Sequence, residues 1–580
     1  MSISATSAPA PAGLTAQART RLDEAVAALV DGAPAWTAST LAERATLLER
    51  VRHAVGLVAE EWAVTASTSK GVPLADPLRG EEWLAGPYAV LGALDGYIAT
   101  LRRLVRGASP LDGVRTDAAP GGRVRVHAFP ATPLDRVLLS GFTGEIWLQP
   151  GTDVATAVRT AGLAQLHPHA PAGIGLVLGA GNVTAIPVLD VLYELLAANR
   201  VAVLKVNPTQ DALVPVFERA LSPLIARGFV RIVRGGGEAG AYLAQHPSIG
   251  HVHITGSGAT FEAIVWGTGA DAEARRAAAE PLLNTPITAE LGGVSPIIVV
   301  PGPWTDADLA FQAEHIATMR LHNSGHNCIA GQVVLVSRDW PQRDAFLRAL
   351  RIAYAAAPER PVWYPHATDR MRDAAAAHPH AQQSAHGTRL LVPPSPQDTA
   401  HDLETTEYFA PVLGVVELDG TGAAFLDTAV AYANDRLAGT LGANILIDPA
   451  TERLLGSRLE RAVADLRYGG IAINAWTGVV FATPVLSWGA FPGGTLADVG
   501  SGLGVVHNTL LLDGVERAVL RGPFRPFPRS LGRGRFSILP KPPWFVTART
   551  GAVVSEGLTR HRIGGGAMRL IATLWRALGA

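Results

Sequence analysis

Residues 173–206 read GIGLVLGAGNVTAIPVLDVLYELLAANRVAVLKV, and this stretch decides the fold. It opens with the apolar run GIGLVLG and closes with VAVLKV, and both are typical of buried strands. AIPVLDVLYELLAAN, between them, has the length and apolar spacing of a helix. Strand–helix–strand alternation predicts a parallel sheet with helices on its faces, in which ligands bind at the carboxyl ends of the strands.

The alternation of predicted strands and helices continues after residue 206. DALVPVFERALSPLIARG predicts a helix, VRIVRG a strand, and HVHITGS a further strand after a short helix near AYLAQ. A second alternating block begins at SPIIVV and ends near Val485. The sequence therefore predicts an α/β protein with a second α/β domain after the first.

The flanking segments differ from this pattern. From about Thr15 to Arg106, apolar residues recur at helical spacing, whereas from about Gly107 to Pro150 turn residues surround VRVHAF and GEIWLQ. These short runs predict strands that could form a projecting hairpin. From about Gly522 the chain is rich in Pro, Arg and Gly, and it closes with AMRLIATLWRAL, a predicted short helix.

Composition narrows the class of protein. The chain has 580 residues, 48% hydrophobic and 17% charged, with a formal net charge of −1. A chain of that length is too long to fold around a single hydrophobic core, so two or more domains are expected. The net charge shows no excess of basic residues of the kind that binds nucleic acid. The single cysteine excludes an intramolecular disulfide. Without a signal-like start or a bilayer-length apolar run, we expect a cytoplasmic protein with no membrane span.

The single cysteine, Cys328, lies in HNSGHNCIAGQVVLV, a glycine-flanked loop before an apolar strand. A loop of this kind can present a side chain to a cleft, and a thiolate is a strong nucleophile. The alternative is a small buried core residue, which is the commonest fate of a free cysteine. Taken alone, the position leaves both interpretations open.

Two other polar residues occupy glycine-rich turns. Glu290 in ITAELGGVSPIIVV could act as a general base, or it could be a capping or surface glutamate before a strand. Asn182 in VLGAGNVTAIPVLD could donate a hydrogen bond to a developing oxyanion, or it could be an ordinary helix N-cap. Neither residue is decisive alone.

Their order along the chain is more specific. The Asn182 turn is followed by Lys205 at a strand end, ITGS (residues 254–257), AELGG (289–293), the cysteine loop and EYFAPVLG (407–414). INAW, FPGG and SGLG come last. This series resembles the aldehyde dehydrogenase superfamily from about residue 25 to about residue 510. The resemblance implies a Rossmann-type cofactor domain and a second α/β catalytic domain, with a small β oligomerisation element.

The resemblance also implies roles for the catalytic residues. Cys328 matches the nucleophile that attacks an aldehyde to give a thiohemiacetal. Asn182 and the Cys328 backbone N–H would hold the oxyanion, and Glu290 would activate the water that hydrolyses the thioester. Asn474 in INAW matches an asparagine near the active site. The implied reaction is oxidation of a small-molecule aldehyde to the carboxylic acid.

Five residues match cofactor-binding positions of the family, for NAD or NADP. Lys205 would contact the adenosine ribose, and Gly256 with Ser257 would lie by the pyrophosphate. Glu407 would hold the nicotinamide ribose, with Phe409 near the ring. Pro208 stands where NAD-preferring members often have glutamate, so the choice of nucleotide stays open. No metal site is predicted.

The implied domains follow the motifs. Residues 1–14 form a flexible N-terminus, and residues 15–290 the NAD(P)-binding domain, with the β-rich segment of about 107–150 inserted as an oligomerisation arm. Residues 291–490 form the catalytic domain, and residues 491–580 return to the cofactor or oligomerisation region. A homodimer or homotetramer is implied, as in the family.

Several alternatives remain open. The first alternative is a CoA-acylating dehydrogenase or acyl-CoA reductase. The turn that ends at Asn182 reads GAGN, where many members have Pro-Trp-Asn, and this variant is closer to acyl-CoA reductases of the superfamily. Glu290 favours hydrolysis, because CoA-dependent members often lack this base. The others are a cysteine hydrolase using His322 or His326, and a non-catalytic binding protein on the same fold. The closing AMRLIATLWRAL suits a weak peripheral membrane contact or packing on the protein itself.

Overall fold

The computed structural model describes residues 13–384, 386–395, 401–531 and 534–579. The predicted flexible N-terminus, residues 1–14, lies almost entirely outside them. In this described part of the chain, no helix is both long and apolar enough to cross a membrane.

Helices of four to 29 residues lie between and around the strands. In chain order they are α1 (Ala16–Ala38), α2 (Leu41–Ser69), α3 (Gly80–Trp83), α4 (Ala89–Val105), α5 (Pro133–Leu138), α6 (Val154–Thr160), α7 (Ile186–Ala197), α8 (Val214–Ala220), α9 (Ser222–Ile225), α10 (Gly237–Ala244), α11 (Gly258–Val265), α12 (Ala270–Ala278), α13 (Asp306–Leu321), α14 (Arg343–Ala356), α15 (Ala367–Ala377), α16 (His401–Thr405), α17 (Gly422–Asp435), α18 (Pro449–Leu455), α19 (Ser457–Asp465), α20 (Thr477–Phe481), α21 (Gly551–Gly564) and α22 (Ala567–Ala577).

The strands belong to three sheets. They are β1 (Thr116–Ala119), β2 (Arg123–Phe129), β3 (Thr143–Leu148), β4 (Gly173–Leu178), β5 (Arg200–Lys205), β6 (Val230–Val233), β7 (His251–Gly256), β8 (Ile287–Leu291), β9 (Ser295–Val299), β10 (Gly331–Ser337), β11 (Gln382–Gln383), β12 (Leu390–Val392), β13 (Val412–Leu418), β14 (Gly442–Leu446), β15 (Gly470–Ile473), β16 (Trp488–Gly489), β17 (Gly502–Leu503), β18 (Val505–His507) and β19 (Val515–Arg521).

The first sheet has the strand order β17-β8-β7-β4-β5-β6. All its pairs are parallel except β17 with β8. From β4 the chain adds β5 and β6 on one side and then β7 and β8 on the other. The strand order therefore reverses between β4 and β7, and such a switch point opens a crevice for ligands at the carboxyl edge. The α/β fold predicted around residues 173–206 is confirmed.

The second sheet has eleven strands. Its parallel centre, β15-β14-β9-β10-β13-β12, corresponds to the second predicted block. On one side β19 pairs parallel with β15 and antiparallel with β3, which continues into β2 and β1. The segment around residues 107–150 thus forms antiparallel strands as predicted. It does not project alone, because the buried strand β19, which the sequence analysis did not predict, joins it to this sheet.

The amino-terminal helices pack beside the first sheet, where Trp36 meets Phe229 edge to face with ring centroids 5.2 Å apart. At the other end of the chain, α21 packs on α3 and on α22. Sequence analysis predicted α22 but missed α21. The positions that α21 buries carry Gly551, Ala552, Val554, Ser555 and Thr559, so it lacks an apolar stripe.

Candidate active site

Cys328 lies in the loop between α13 and β10, as the sequence predicts. The loop is tightly bent: Asn323 and Ser324 have φ values of 53° and 55°, in the left-handed region that non-glycine residues seldom adopt. Gly325 follows with φ 73°, and a Cβ atom there would lie 2.9 Å from the Ala410 carbonyl. Such a conformation persists only where surrounding contacts hold it.

Those contacts come from distant segments. The Lys70 ammonium donates to the Glu82 carboxylate at 2.9 Å and to the Asn323 side-chain oxygen at 3.1 Å. The Asn323 backbone N–H donates to Glu81 at 2.9 Å, and Arg360 donates to the same carboxylate at 2.5 Å. Lys70, Glu81 and Glu82 are all buried. This ionic cluster fixes the cysteine loop, and the sequence analysis missed it because its members are far apart in the chain.

Replacing Lys70 with methionine is expected to lower the free energy of unfolding by about 3–5 kcal/mol, because Glu82 would stay buried without its cation. Urea titration followed by circular dichroism measures the loss. The control is Arg102→Met, which removes an exposed ion pair with Glu49 and should change stability by about 1 kcal/mol or less. Equal losses in the two variants would contradict this account of the loop.

Glu290 lies in β8 at the carboxyl edge of the first sheet, and only 2% of its surface is exposed. Burial raises the pKa of its carboxyl group to about 7, and the charge of Asp190 adds to this effect. Interactions with the Cys328 thiol, His253 and the Trp488 indole oppose it. The Glu290 Oε1 atom has no hydrogen-bond partner among the described residues. A carboxylate that titrates near neutrality suits a general base.

The Cys328 side chain is partly exposed to a cavity, yet enclosed enough that burial raises the pKa of its thiol well above the usual value. The adjacent Glu290 carboxylate raises it further, and the residue's own backbone N–H opposes the shift. At neutral pH the sulfur is therefore a thiol, and a base must remove its proton before it can act as a nucleophile. The Glu290 carboxylate lies beside it and could accept that proton.

The SGLG motif, residues 501–504, packs against the strand that carries Glu290. Strand β17 pairs with β8 so that Gly502 lies opposite Glu290, and Gly502 has φ 148° with no room for a Cβ atom beside the Ala289 carbonyl. The Ser501 hydroxyl donates to the Gly292 carbonyl at 2.9 Å and accepts from the Thr440 N–H at 2.7 Å. These contacts explain why AELGG and SGLG occur together although some 200 residues separate them.

Asn182 is buried and lies next to the cysteine loop. Its side-chain amide donates to the His326 carbonyl at 2.9 Å, and its own carbonyl accepts from the Asn323 amide at 3.1 Å. An amide nitrogen carries two hydrogens, so one donor remains for an oxyanion. The structure thus brings Asn182 to the cysteine loop, where it binds His326, two residues before Cys328.

Lys205, Gly256 and Ser257 lie at the carboxyl edge of the first sheet, on the two sides of the switch point. Lys205 ends β5, and burial lowers the pKa of its ammonium group while Glu238 and Asp211 oppose that shift. Gly256 ends β7, and Ser257 caps α11 by accepting from the Thr260 N–H at 3.2 Å. A capped helix N-terminus beside a sheet edge suits a phosphate group.

Glu407 lies against the glycines of AELGG. Its carboxylate occupies the space that a Cβ atom on Gly292 would need, so a larger residue at this position would displace it. Burial raises the pKa of Glu407 to about 8, and its Oε1 atom has no hydrogen-bond partner in the described ranges. An unpartnered buried carboxylate can accept hydrogen bonds from the hydroxyls of a ribose. Together with the switch-point crevice, this arrangement fits a dinucleotide.

Phe409 adopts φ 46° and packs its ring on Tyr364, with centroids 4.9 Å apart. Its carbonyl accepts from the His326 ring at 2.8 Å, and burial lowers the pKa of His326 to about 3. The neighbouring His322 ring tilts on Trp476, at 4.7 Å between centroids. Both histidine rings therefore contact local groups, the Phe409 carbonyl and the Trp476 ring.

Asn474 is placed differently from Asn182. Both atoms of its amide bind the backbone of Ile447, at 2.8 and 2.9 Å. It does not line the cavity at Cys328. Its side chain joins the β15 end to the chain after β14, a structural role that a motif match alone did not reveal.

A cavity of about 950 Å³ opens at Cys328. Trp476 and Trp488 form part of its wall, and the Trp476 indole N–H has no partner within the described residues. The far wall comes from the carboxyl-terminal segment, including Trp544, α21 and α22. The sequence analysis noted the tryptophans but could not place them, and it assigned no part of this wall to the tail.

Comparison with known proteins agrees with the site. The family model described as "Aldehyde dehydrogenase family" matches residues 149–359. Betaine aldehyde dehydrogenase 2 of Rhizobium meliloti is 31% identical over 270 residues, 43% of this chain and 50% of that protein. 3,6-Anhydro-alpha-L-galactose dehydrogenase of Streptomyces coelicolor is 27% identical over 336 residues, 58% of this chain and 54% of that protein. The chain spans about half the length of these curated relatives.

Solved structures share the fold over a larger part of the chain. The NAD-dependent aldehyde dehydrogenase from Sinorhizobium meliloti has a TM-score of 0.57 and 20% identity, covering 86% of each chain. The stretch that the family model matches contains Asn182, Lys205, Ser257, Glu290 and Cys328. The tail that closes the cavity lies outside that stretch.

Proposed function

We propose that this chain is a member of the aldehyde dehydrogenase superfamily and that it oxidises an aldehyde to the carboxylic acid with NAD or NADP, which the family-model match over residues 149–359 and the similarity to betaine aldehyde dehydrogenase 2 support. The observation that carries the proposal is the pair formed by Cys328, which lines a large cavity, and the buried Glu290 carboxylate beside it. A nucleophile and an adjacent base can form the covalent thiohemiacetal and, once NAD or NADP has accepted the hydride, can hydrolyse the resulting thioester.

The first half of the reaction begins with the Cys328 thiol. Glu290 accepts its proton, and the sulfur attacks the carbonyl carbon of the aldehyde to give a thiohemiacetal. The free hydrogen of the Asn182 amide and the Cys328 backbone N–H stabilise the negative charge that develops on oxygen. When bound, NAD or NADP supplies the acceptor for the hydride that leaves the reacting carbon.

The cofactor would be held by the residues at the carboxyl edge of the first sheet. Lys205 would contact the adenosine ribose, and Gly256 with Ser257 would contact the pyrophosphate at the start of α11. Glu407 would accept from the nicotinamide ribose through its unpartnered oxygen, and Phe409 would pack near the ring.

In the second half, Glu290 acts again. It accepts a proton from a water molecule, which attacks the thioester carbon and releases the carboxylic acid, and the Cys328 sulfur leaves. One carboxylate thus serves both halves, which its pKa of about 7 allows because it can gain and lose a proton near neutral pH. This role also supports water, rather than CoA, as the acyl acceptor.

The test is reduction of NAD and, separately, of NADP by the purified protein across a panel of aldehydes, first without CoA and then with it. We expect turnover without CoA. Turnover only with CoA would identify a CoA-acylating enzyme, and no turnover by the folded protein would favour a non-catalytic binding protein. The implied homodimer or homotetramer stays a prediction, which light scattering on the same sample would test.

A further inference from the structure

The cavity at Cys328 is large for a small aldehyde. Its volume of about 950 Å³ is near the upper end of the range, about 300–1,000 Å³, of pockets that enclose drug-sized ligands. Cys328 lies in one wall, and Leu558 of α21 with Leu574 and Ala577 of α22 lie in another. A short aldehyde on Cys328 would leave much of this surface in contact with water.

The wall is mostly apolar, and its residues include Ile186, Val479 and Phe481 as well as Leu558 and Leu574 of the tail helices. Two of its arginines already have protein partners. Arg562 binds the Asp95 carboxylate at 3.3 Å and the Tyr88 hydroxyl at 3.2 Å, and Arg103 donates to the Pro110 carbonyl at 2.5 Å.

Two threonines and an aspartate of the wall also have protein partners, whereas the indole N–H groups of Trp476 and Trp544 have none within the described residues. The Thr100 hydroxyl donates to the Thr509 carbonyl at 2.7 Å, and the Thr509 hydroxyl donates to the Pro484 carbonyl at 2.8 Å. The Asp135 carboxylate accepts a hydrogen bond from the Thr132 N–H at the start of α5. Because breaking such contacts costs free energy, the wall suits an uncharged apolar group better than a charged one.

Resting on the proposed function, we infer that the substrate is an aldehyde with a long, uncharged apolar chain, and that the tail helices α21 and α22 select it. The chain extends from the carbonyl carbon at Cys328 along the apolar wall towards Leu558 and Leu574. Each methylene that leaves water contributes to binding, so affinity should increase with chain length until the cavity is filled.

Helix α22 offers a matched pair of positions for the test. Leu574 lines the cavity, whereas Ile571, three residues earlier, is 48% exposed and does not line it. An aspartate at either position adds the same charge to the same helix. Only Leu574→Asp would place that charge against the substrate chain.

The experiment measures kcat/KM for propanal, hexanal, decanal and a short cationic aldehyde, with the wild-type protein and both variants. We expect kcat/KM of the wild type to rise about twofold to fourfold per methylene. Leu574→Asp should lower the decanal-to-propanal ratio by about tenfold or more, and Ile571→Asp should keep the wild-type ratio. The wild-type series is informative even if Leu574→Asp fails to fold.

The outcomes separate this inference from the proposed function. Oxidation of propanal or the cationic aldehyde with no gain from chain length would overturn the apolar-chain inference and leave the dehydrogenase intact. A chain-length gain that both aspartate variants retain would overturn the role of the tail helices. Failure to oxidise any aldehyde would overturn the proposed function and this inference with it.

Discussion

Replacing Cys328 with alanine is expected to abolish aldehyde oxidation, with kcat at least about 10⁴-fold below that of the wild type. The reason is chemical: without the sulfur no thiohemiacetal forms, and no other thiol exists in the chain to replace it. The assay is NAD(P)H formation under conditions where the wild type turns over. Cys328→Ser is the closest control in size, and it should also be inactive because a hydroxyl is a far weaker acid than a thiol.

The same cysteine allows a direct chemical test. Alkylation by iodoacetamide can modify one thiol per chain, so intact mass reports on Cys328 alone. Because burial and Glu290 raise the pKa of this thiol, we expect slow alkylation at neutral pH and faster alkylation as the pH rises. Fast alkylation at low pH would show a preformed thiolate and remove the need for Glu290 in the first step. Residual turnover of fully alkylated protein would contradict the nucleophilic role.

Both tests require that the variants fold. Cys328 packs against the apolar residues around the second sheet and is only partly buried. Replacing it with alanine therefore removes few contacts. Circular dichroism and the thermal midpoint should therefore match those of the wild type. A large loss of stability would mean that the residue is structural, which is the interpretation that its sequence position alone left open.

The catalytic residues that the sequence analysis proposed share one property: each lies near glycines in a turn. Cys328, Glu290 and Asn182 all stand next to glycines at the ends of strands or helices, where a side chain can face a ligand. The alternation around residues 173–206 likewise predicts the parallel first sheet without knowledge of distant contacts. Local order along the chain was enough for these features.

What the sequence analysis missed depends on long-range contacts. Lys70 and Arg360 hold the cysteine loop from segments that carry no motif. The sequence of strand β19 does not predict that it pairs with β15 and β3. Nor does the sequence of the tail helices predict that they line the cavity. Asn474 shows the opposite case, because its motif match pointed to the site whereas its amide binds the Ile447 backbone. Pairing partners and cavity walls are set by packing, which the local pattern does not encode.

Replacing Glu290 with glutamine is expected to lower kcat by about 10² to 10⁴-fold, because the amide keeps the shape of the side chain but cannot accept a proton. If the thioester still forms slowly, one equivalent of NAD(P)H per active site should appear and then stop. Intact mass would detect the acyl group on Cys328. Adding CoA distinguishes the acceptors, since restored turnover would show that a thiol resolves the thioester and that Glu290 is not required for this step.

The pH profile gives an independent check on Glu290. Its carboxyl group has a pKa raised to about 7, so below that pH it is protonated and cannot act as a base. Wild-type kcat should therefore rise as the pH increases through about 7 and level off above it, provided that chemistry is rate-limiting. Glu290→Gln should lack this inflection, whereas Glu49→Gln, which changes an exposed glutamate that does not line the cavity, should keep it. An unchanged inflection in Glu290→Gln would assign the titration to another group, and Glu407, with a pKa raised to about 8, would be the next to replace.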